Sequence, residues 1–286
     1  TPIKSSAASD VYKRQEVCLL RAVFRWKFQI ISICDDSMDM IRGNELSRLH
    51  ALARKMAMPM IDDVILPDSE ACRWYREHYG KGIFFPIVRD EQAFRMQCRE
   101  ALPVSLSLQE EYALRGKKVV LYVGRLAPEK NLECLVRAAA SLPEDTVLVI
   151  VGSGSLKEEL QHLAGRMQVS AIFPGWLEGV RLAAWYNLAD IFVLPSLVEP
   201  FGAVVNDALA AGCFCLVSGR CGSSCLIRQG WNGELFDPED EERLASLLRE
   251  ACRNRGVRPS FPHLKECLMP AGFREYVNHL MEHMGL

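Results

Sequence analysis

Beginning at Lys118, short runs of Val, Ile and Leu alternate with amphipathic stretches: "KVVLYVG", "TVLVIVG", "AIFPG", "IFVLPS" and "CFCLVSG". Runs of this kind belong to parallel sheets covered by helices on both faces. Between them apolar residues recur every three or four positions, which predicts helices beginning near Asn131, Ser155, Gly179 and Gly202. A doubly wound α/β domain accounts for the pattern. Its last helix is expected after "FDPED", with Asp237 as N-cap and Pro238 in the first turn, and runs to about Arg253.

Upstream, "FQIISIC", "DDVILPD" and "GIFFPIV" read as three more strands, separated by the helical "NELSRLHALARKMAM" and "SEACRWYREHY". They resemble the closing part of a second α/β domain. Three strands and two helices make a thin sheet, so this part is expected to lack its opening units. The leader, with "SSAASDVYKRQ", has no apolar periodicity and resembles the artificial ends of assembled environmental sequences. Beyond the last helix, the breaker-rich "NRGVRPSFPH" reads as a crossing segment before a terminal helix in "GFREYVNHLMEHM". The expected organisation is therefore an unstructured or non-native leader (1–16), a partial N-terminal α/β domain (17–113), a complete C-terminal domain (114–255), and a crossing segment with a terminal helix (256–286).

Composition narrows the function classes. With 286 residues, 49% of them hydrophobic, the chain buries a sizeable core, and a net charge of -2 offers no basic field for nucleic acid. No run reaches the roughly 20 apolar residues that span a bilayer. The 11 cysteines are odd in number and scattered through apolar runs, which fits a reducing, cytoplasmic setting. Cys213, Cys215, Cys221 and Cys225 lie close together but form no paired knuckle, so no metal site is expected. "LLRAVFRWKF" mixes basic and apolar residues and suits either brief membrane contact or the remnant of a core helix.

Four strand-to-helix junctions carry unusual residues, and parallel strands put them all at the ligand-binding edge of the sheet. In "VGRLAPEKN", Gly124 lets the backbone turn, while Arg125 and Lys130 place two cations around Pro128, an arrangement suited to a diphosphate. In "VGSGSLKEEL", Gly152 and Gly154 would let backbone N–H groups approach an anion. Lys157 stands where the third glycine of a dinucleotide fingerprint belongs, which speaks against a nicotinamide cofactor. In "FPGWLEGV", Trp176 is expected to fill the core, the alternative being a ring beside a planar base. In "EPFGAVVND", Glu199 precedes Pro200 and favours extended geometry, Gly202 opens a helix, and Asp207 follows on the helix flank.

Together these residues resemble nucleotide-sugar-dependent glycosyltransferases of family 4, which have the two-domain GT-B fold. The resemblance covers roughly Asp62 to Arg253 and is strongest from "VVLYVGRLAPEKN" through "EPFGAVVNDALAAG" to "WNGELFDPED". It implies an α/β, GT-B-like architecture: a complete C-terminal Rossmann-like domain and an incomplete N-terminal one. Arg125 and Lys130 would hold the donor's diphosphate, and Glu199 would lie beside the transferred sugar. Phe201 and Gly202 would offer backbone contacts near the phosphates, and the carboxylate at position 207 would hold the ribose hydroxyls. Here the sequence departs from the pattern, because Asp207 stands for a glutamate and is one methylene shorter. A second departure is Cys225 in "GSSCLI", near a position often acidic in relatives.

The resemblance further implies transfer with retention and without metal or cofactor, from a nucleotide sugar to a glycan or lipid-linked hydroxyl. The usual setting of such relatives is bacterial polysaccharide assembly, in the cytoplasm or at the inner membrane face. Relatives often bring a histidine from the first domain; here "CDDS" offers Cys34, Asp35 or Asp36, which read more simply as strand-end residues. A domain that only binds nucleotide sugars, and an epimerase or phosphorylase on the same fold, are the competing readings.

Overall fold

Each apolar run forms a strand, and the strands fall into two parallel sheets. The structure, a computed structural model, describes residues 30–34, 41, 48–254 and 263–284. The leader, "LLRAVFRWKF", Asp35, Asp36 and most of "NRGVRPSFPH" lie outside the described residues. The chain divides into two compact units, one of Thr1–Pro86 with Leu280–Leu286 and one of Ile87–His279.

In the first unit, β1 (Ile31–Ile33), β2 (Asp63–Leu66) and β3 (Ile83–Phe84) form a parallel sheet in that order. Helices α1 (Arg48–Ala57) and α2 (Ser69–Tyr79) connect them. Asp68 begins α2 by accepting from the N–H groups of Glu70 and Ala71 at 2.8 and 2.9 Å, satisfying two donors the helix itself leaves open. Val64, Leu66, Ala71 and Tyr75 fill the core. Cys34 is buried with its Sγ 3.7 Å from the Tyr75 hydroxyl, so it packs at a strand end as its position suggested.

The second unit opens with α3 (Glu91–Glu100) and α4 (Leu102–Glu111). Then follow β4 (Lys118–Val123), α5 (Leu132–Ala139), β5 (Thr146–Val151), α6 (Lys157–Arg166), β6 (Ala171–Gly175) and α7 (Gly179–Leu188). After them come β7 (Ile191–Leu194), α8 (Val204–Ala210), β8 (Phe214–Ser218), β9 (Gly233–Phe236) and α9 (Glu241–Asn254), and α10 (Phe273–Met284) begins in this unit while its residues from Leu280 on fall in the first. The sheet is parallel throughout, in the order β6-β5-β4-β7-β8-β9. Strands β4, β5, β7 and β8 are buried at nearly every position, which is why their sequences are continuous apolar runs.

Four expectations are corrected. The second unit starts at Ile87 and not near residue 114, because α3 and α4 pack on its core. Phe94 stacks edge-on against Tyr186 with ring centroids 5.7 Å apart, and Asn187 donates to the Cys98 carbonyl at 2.7 Å. Strand β9 was not expected, since this short edge strand has two half-buried residues, Glu234 and Leu235, between buried ends and has no apolar run. Helix α8 begins at Val204, because Gly202 takes φ +87°, a left-handed conformation outside the helix. The cap of α9 is Asp240, which accepts from the Arg243 N–H at 2.8 Å; Asp237 instead closes a turn onto the Glu239 N–H at 3.1 Å.

Cations finish two helices of this unit. Lys265 donates to the Tyr186 and Ala189 carbonyls at the end of α7, and Arg95 donates to the Ala210 carbonyl at the end of α8 at 2.7 Å. Positive charge at a helix C-terminus meets both the open carbonyls and the dipole.

Candidate functional site

Parallel strands bring every strand-to-helix loop of the second unit to one edge of the sheet, and there the loops are bonded to one another in strand order. The Gly152 N–H donates to the Gly175 carbonyl at 2.8 Å, joining the loops after β5 and β6. Leu126 donates to the Ser153 carbonyl at 2.9 Å, joining those after β4 and β5. The Glu129 carbonyl accepts from Leu197 at 2.9 Å, and Gly222 donates to the Glu199 carbonyl at 3.3 Å, which carries the series through β7 to β8. Each loop is held by its neighbour, so side chains on different loops keep fixed relative positions.

The strand order reverses between β4 and β7, and in open α/β sheets ligands bind at such a switch point. Lys130 comes from the loop after β4 and Glu199 from the loop after β7, and they meet there. Lys130 Nζ donates to Glu199 Oε2 at 2.7 Å. Lys130 is 7% exposed, so the pair is largely removed from water. Glu199 is extended, as the following proline favours, and bridges to Cys221 like one more residue of sheet.

Arg125 lies in the same neighbourhood but not in that pair. Its guanidinium bonds Glu129 at 2.8 Å and the side chain is 66% exposed. The Tyr122 hydroxyl donates to the Arg125 carbonyl at 2.9 Å. Burial pushes the Tyr122 phenol far up, and the charges of Glu199 and Glu129 push it in the same direction, so it stays neutral between the loops.

The glycines serve close packing of these loops. A β-carbon on Gly152, which has φ +146°, would fall on the Gly124 carbonyl oxygen, and one on Gly154 would fall on that of Leu126. The expectation that the Gly152 N–H faces an anion is corrected, since that N–H is spent on Gly175. A β-carbon on Gly124 would come 2.5 Å from the Tyr122 hydroxyl. On Gly202 it would meet Leu194 Cδ2 at 2.6 Å and both Glu199 Cγ and Ser223 Oγ at 3.1 Å, so this glycine lets the Glu199 loop close over β7. Phe201 is buried in the core and its carbonyl accepts from the Ser223 N–H at 2.7 Å.

Trp176 is 65% exposed, which corrects the expectation that it fills the core. It follows β6, the edge strand, all five of whose residues are only half-buried, so among the described residues no second layer receives the ring. An exposed aromatic at the ligand edge is available for stacking.

Asp207 is brought not to Glu199 but to Arg89, a residue without a counterpart in the sequence reading. Arg89 Nη1 donates to both carboxylate oxygens, at 2.8 and 2.6 Å. Asp207 is 4% exposed, and burial raises its pKa from 3.8 to about 6 while the Arg89 charge and hydrogen bond oppose the rise. Nothing in the local sequence signals the partnership, because the two residues are 118 positions apart.

Among the described residues no three His, Cys, Asp or Glu side chains cluster as metal ligands, and no helix is long and apolar enough to cross a membrane.

Comparison with known proteins matches this geometry to a family. The family profile described as "Glycosyl transferases group 1" matches residues 107–263. A GDP-mannose-dependent alpha-mannosyltransferase of Corynebacterium glutamicum is 40% identical over 137 residues, 48% of this chain and 32% of the relative. One of the same description from Mycolicibacterium smegmatis is 32% identical over 199 residues, 68% of this chain and 47% of the relative. The chain thus spans less than half the length of these relatives. Among solved structures, Anabaena Alr3699/HepE in complex with UDP superimposes with a TM-score of 0.71 at 17% identity, covering 85% of this chain and 67% of that one. WaaG, a glycosyltransferase involved in lipopolysaccharide biosynthesis, does so with a TM-score of 0.59 at 18% identity, covering 78% and 66%. The fold is that of the GT-B enzymes, and with a profile match across more than half its length the chain belongs to the glycosyl transferases group 1 family.

Proposed function

We propose that the chain is the donor-binding part of a glycosyltransferase that moves a sugar from a nucleotide-diphosphate sugar to a hydroxyl on a glycan or lipid-linked acceptor, with retention and without a metal. The observation that carries this reading is the Lys130–Glu199 pair at the reversal of strand order. Lys130 has three N–H donors and spends one on Glu199, which leaves donors for a phosphate oxygen. Arg125 adds an exposed guanidinium from the same loop, suited to a bidentate grip on a second phosphate.

In this arrangement the reaction is helped by position and charge. Negative charge grows on the departing diphosphate, and the cations of the β4 loop are already fixed where it grows. Glu199 lies beside the transferred sugar, Trp176 stacks on the base, and Asp207 accepts the ribose hydroxyls. Two relatives are described as GDP-mannose-dependent and a structural neighbour as a complex with UDP, which supports a nucleotide-linked donor without choosing its base or sugar. The setting we propose is polysaccharide or glycoconjugate synthesis in the cytoplasm, with the membrane's inner face as the place where a lipid-linked acceptor is met.

The test is calorimetry of the purified chain with UDP-glucose, GDP-mannose and related donors, followed by radiolabelled transfer to candidate acceptors. Saturable donor binding and acceptor-dependent release of nucleoside diphosphate are expected. Binding without transfer would select a pure nucleotide-sugar-binding role, and conversion of the donor with no acceptor present would replace transfer by epimerisation. No binding of any donor would sink the reading.

A further inference from the structure

The shortened carboxylate at position 207 and the arginine bonded to it are parts of one device. We infer that Arg89, by bridging both oxygens of the buried Asp207, positions that carboxylate to accept the two vicinal hydroxyls of the donor's ribose. The inference rests on the nucleotide-sugar reading above and adds to it a residue outside every motif of the β4 and β7 loops.

A carboxylate has about four lone-pair sites, two on each oxygen. Arg89 Nη1 takes one on each, at 2.8 and 2.6 Å, and so leaves one on each for a further donor. Two hydroxyls on adjacent carbons match that remaining pair. Because a single nitrogen makes both bonds, the Nη2 and Nε groups of Arg89 are not spent on Asp207, and the side chain is 54% exposed while that of Asp207 is 6% exposed. The two bonds from one nitrogen fix the plane of the buried carboxylate.

Asp207 depends on this one cation. Tyr186 on α7 and Cys98 on α3 face it, and burial pushes both well above their usual range, so they remain neutral. Cys213, at the start of β8, is buried beside them and donates to the Tyr186 and Ala189 carbonyls. Arg95 on α3 is occupied by the Ala210 and Lys265 carbonyls, and Lys265 by those of Tyr186 and Ala189. Arg89 is thus the cation hydrogen-bonded to Asp207 among the described residues. Even with it the carboxyl titrates near 6, and without it burial would carry the group further up, turning an acceptor of hydroxyls into a neutral acid at pH 7.

The experiment measures the affinity of the full chain for UDP, GDP and ADP by calorimetry from pH 5 to 9, in wild type, Arg89→Met and Arg89→Lys. Wild-type affinity for the nucleotide that binds is expected to fall as pH drops through about 6. In Arg89→Met the fall should begin at higher pH, giving a loss of roughly tenfold at pH 7 that recovers toward pH 9. Arg89→Lys, which keeps the charge, should leave the fall near its wild-type position. A uniform loss at every pH in Arg89→Met, or no change, overturns the inference while leaving nucleotide binding intact. Failure of wild type to bind any of the three nucleotides overturns it together with the proposed function.

Discussion

Lys130 and Glu199 lie 69 residues apart in the sequence, yet Nζ and Oε2 stand 2.7 Å from each other where β4 and β7 part. The ammonium comes from a one-turn helix of Pro128–Lys130 and the carboxylate from an extended pre-proline residue, so neither local conformation alone brings them together. Their pairing is the structural core of the candidate site.

Removing one partner should disturb folding as well as chemistry. Glu199→Gln leaves Lys130 buried without a countercharge, for which a loss of about 3 kcal/mol in unfolding free energy is expected. Arg125→Ala breaks only an exposed pair and should change stability by less than about 0.5 kcal/mol. Turnover in Arg125→Ala should nonetheless fall by roughly 10² to 10³ through lost phosphate stabilisation. Urea denaturation beside a transfer assay checks both; an Arg125→Ala enzyme with full turnover would remove that residue from the site.

Gly152 is expected to tolerate no side chain. Its β-carbon would collide with the Gly124 backbone at a positive φ, so Gly152→Ala should cost more than about 3 kcal/mol or prevent folding. Gly165 sits in α6 with open space around it, and Gly165→Ala should stabilise by about 0.5–1 kcal/mol. Melting temperatures of the two variants, compared with wild type, provide the check.

The carboxyl of Asp207 makes stability depend on pH in an unusual direction. Its folded pKa of about 6 lies above the ordinary 3.8, so between those values the folded protein binds more protons than the unfolded chain. Its contribution to stability therefore falls as pH rises from about 4 to 6, and the cost stays constant above that window. Asp207→Asn should be more stable than wild type at pH 8 by about 2 to 3 kcal/mol, with the gap closing by pH 4. Denaturation at the two pH values measures the gap; an equal gap at both would contradict the buried-charge explanation.

Trp176 separates binding from folding. Because the ring is 65% exposed, Trp176→Ala should change stability by less than about 0.5 kcal/mol. Loss of base stacking should weaken nucleotide affinity by about 1 kcal/mol, or roughly fivefold. Calorimetry with the nucleotide that binds wild type is the measurement, and unchanged affinity would place the base elsewhere.

Much of the α/β pattern was legible because it is written in local periodicity. Continuous apolar runs marked β4, β5, β7 and β8, and the span of α2 agrees with its amphipathic segment. Strand β9 escaped because an edge strand need not be apolar on both faces. The segment of α3 and α4 fell on the wrong side of the boundary because the first apolar run of the second sheet begins only at Lys118, and no local pattern says against which neighbour a preceding helix packs. Trp176 was misread for the same reason: a large aromatic favours burial, but only the position of β6 at the edge decides that no layer covers it.

By itself the sequence determined the alternation of strands and helices, the residue types at each junction and the family that their order resembles, because these depend on near neighbours along the chain. Tertiary structure decided which charges meet. Lys130 with Glu199 and Arg89 with Asp207 are joined across 69 and 118 residues by strand order and helix packing. An ion pair is made by distance in space and by the water it excludes, and neither quantity exists until the sheet has formed.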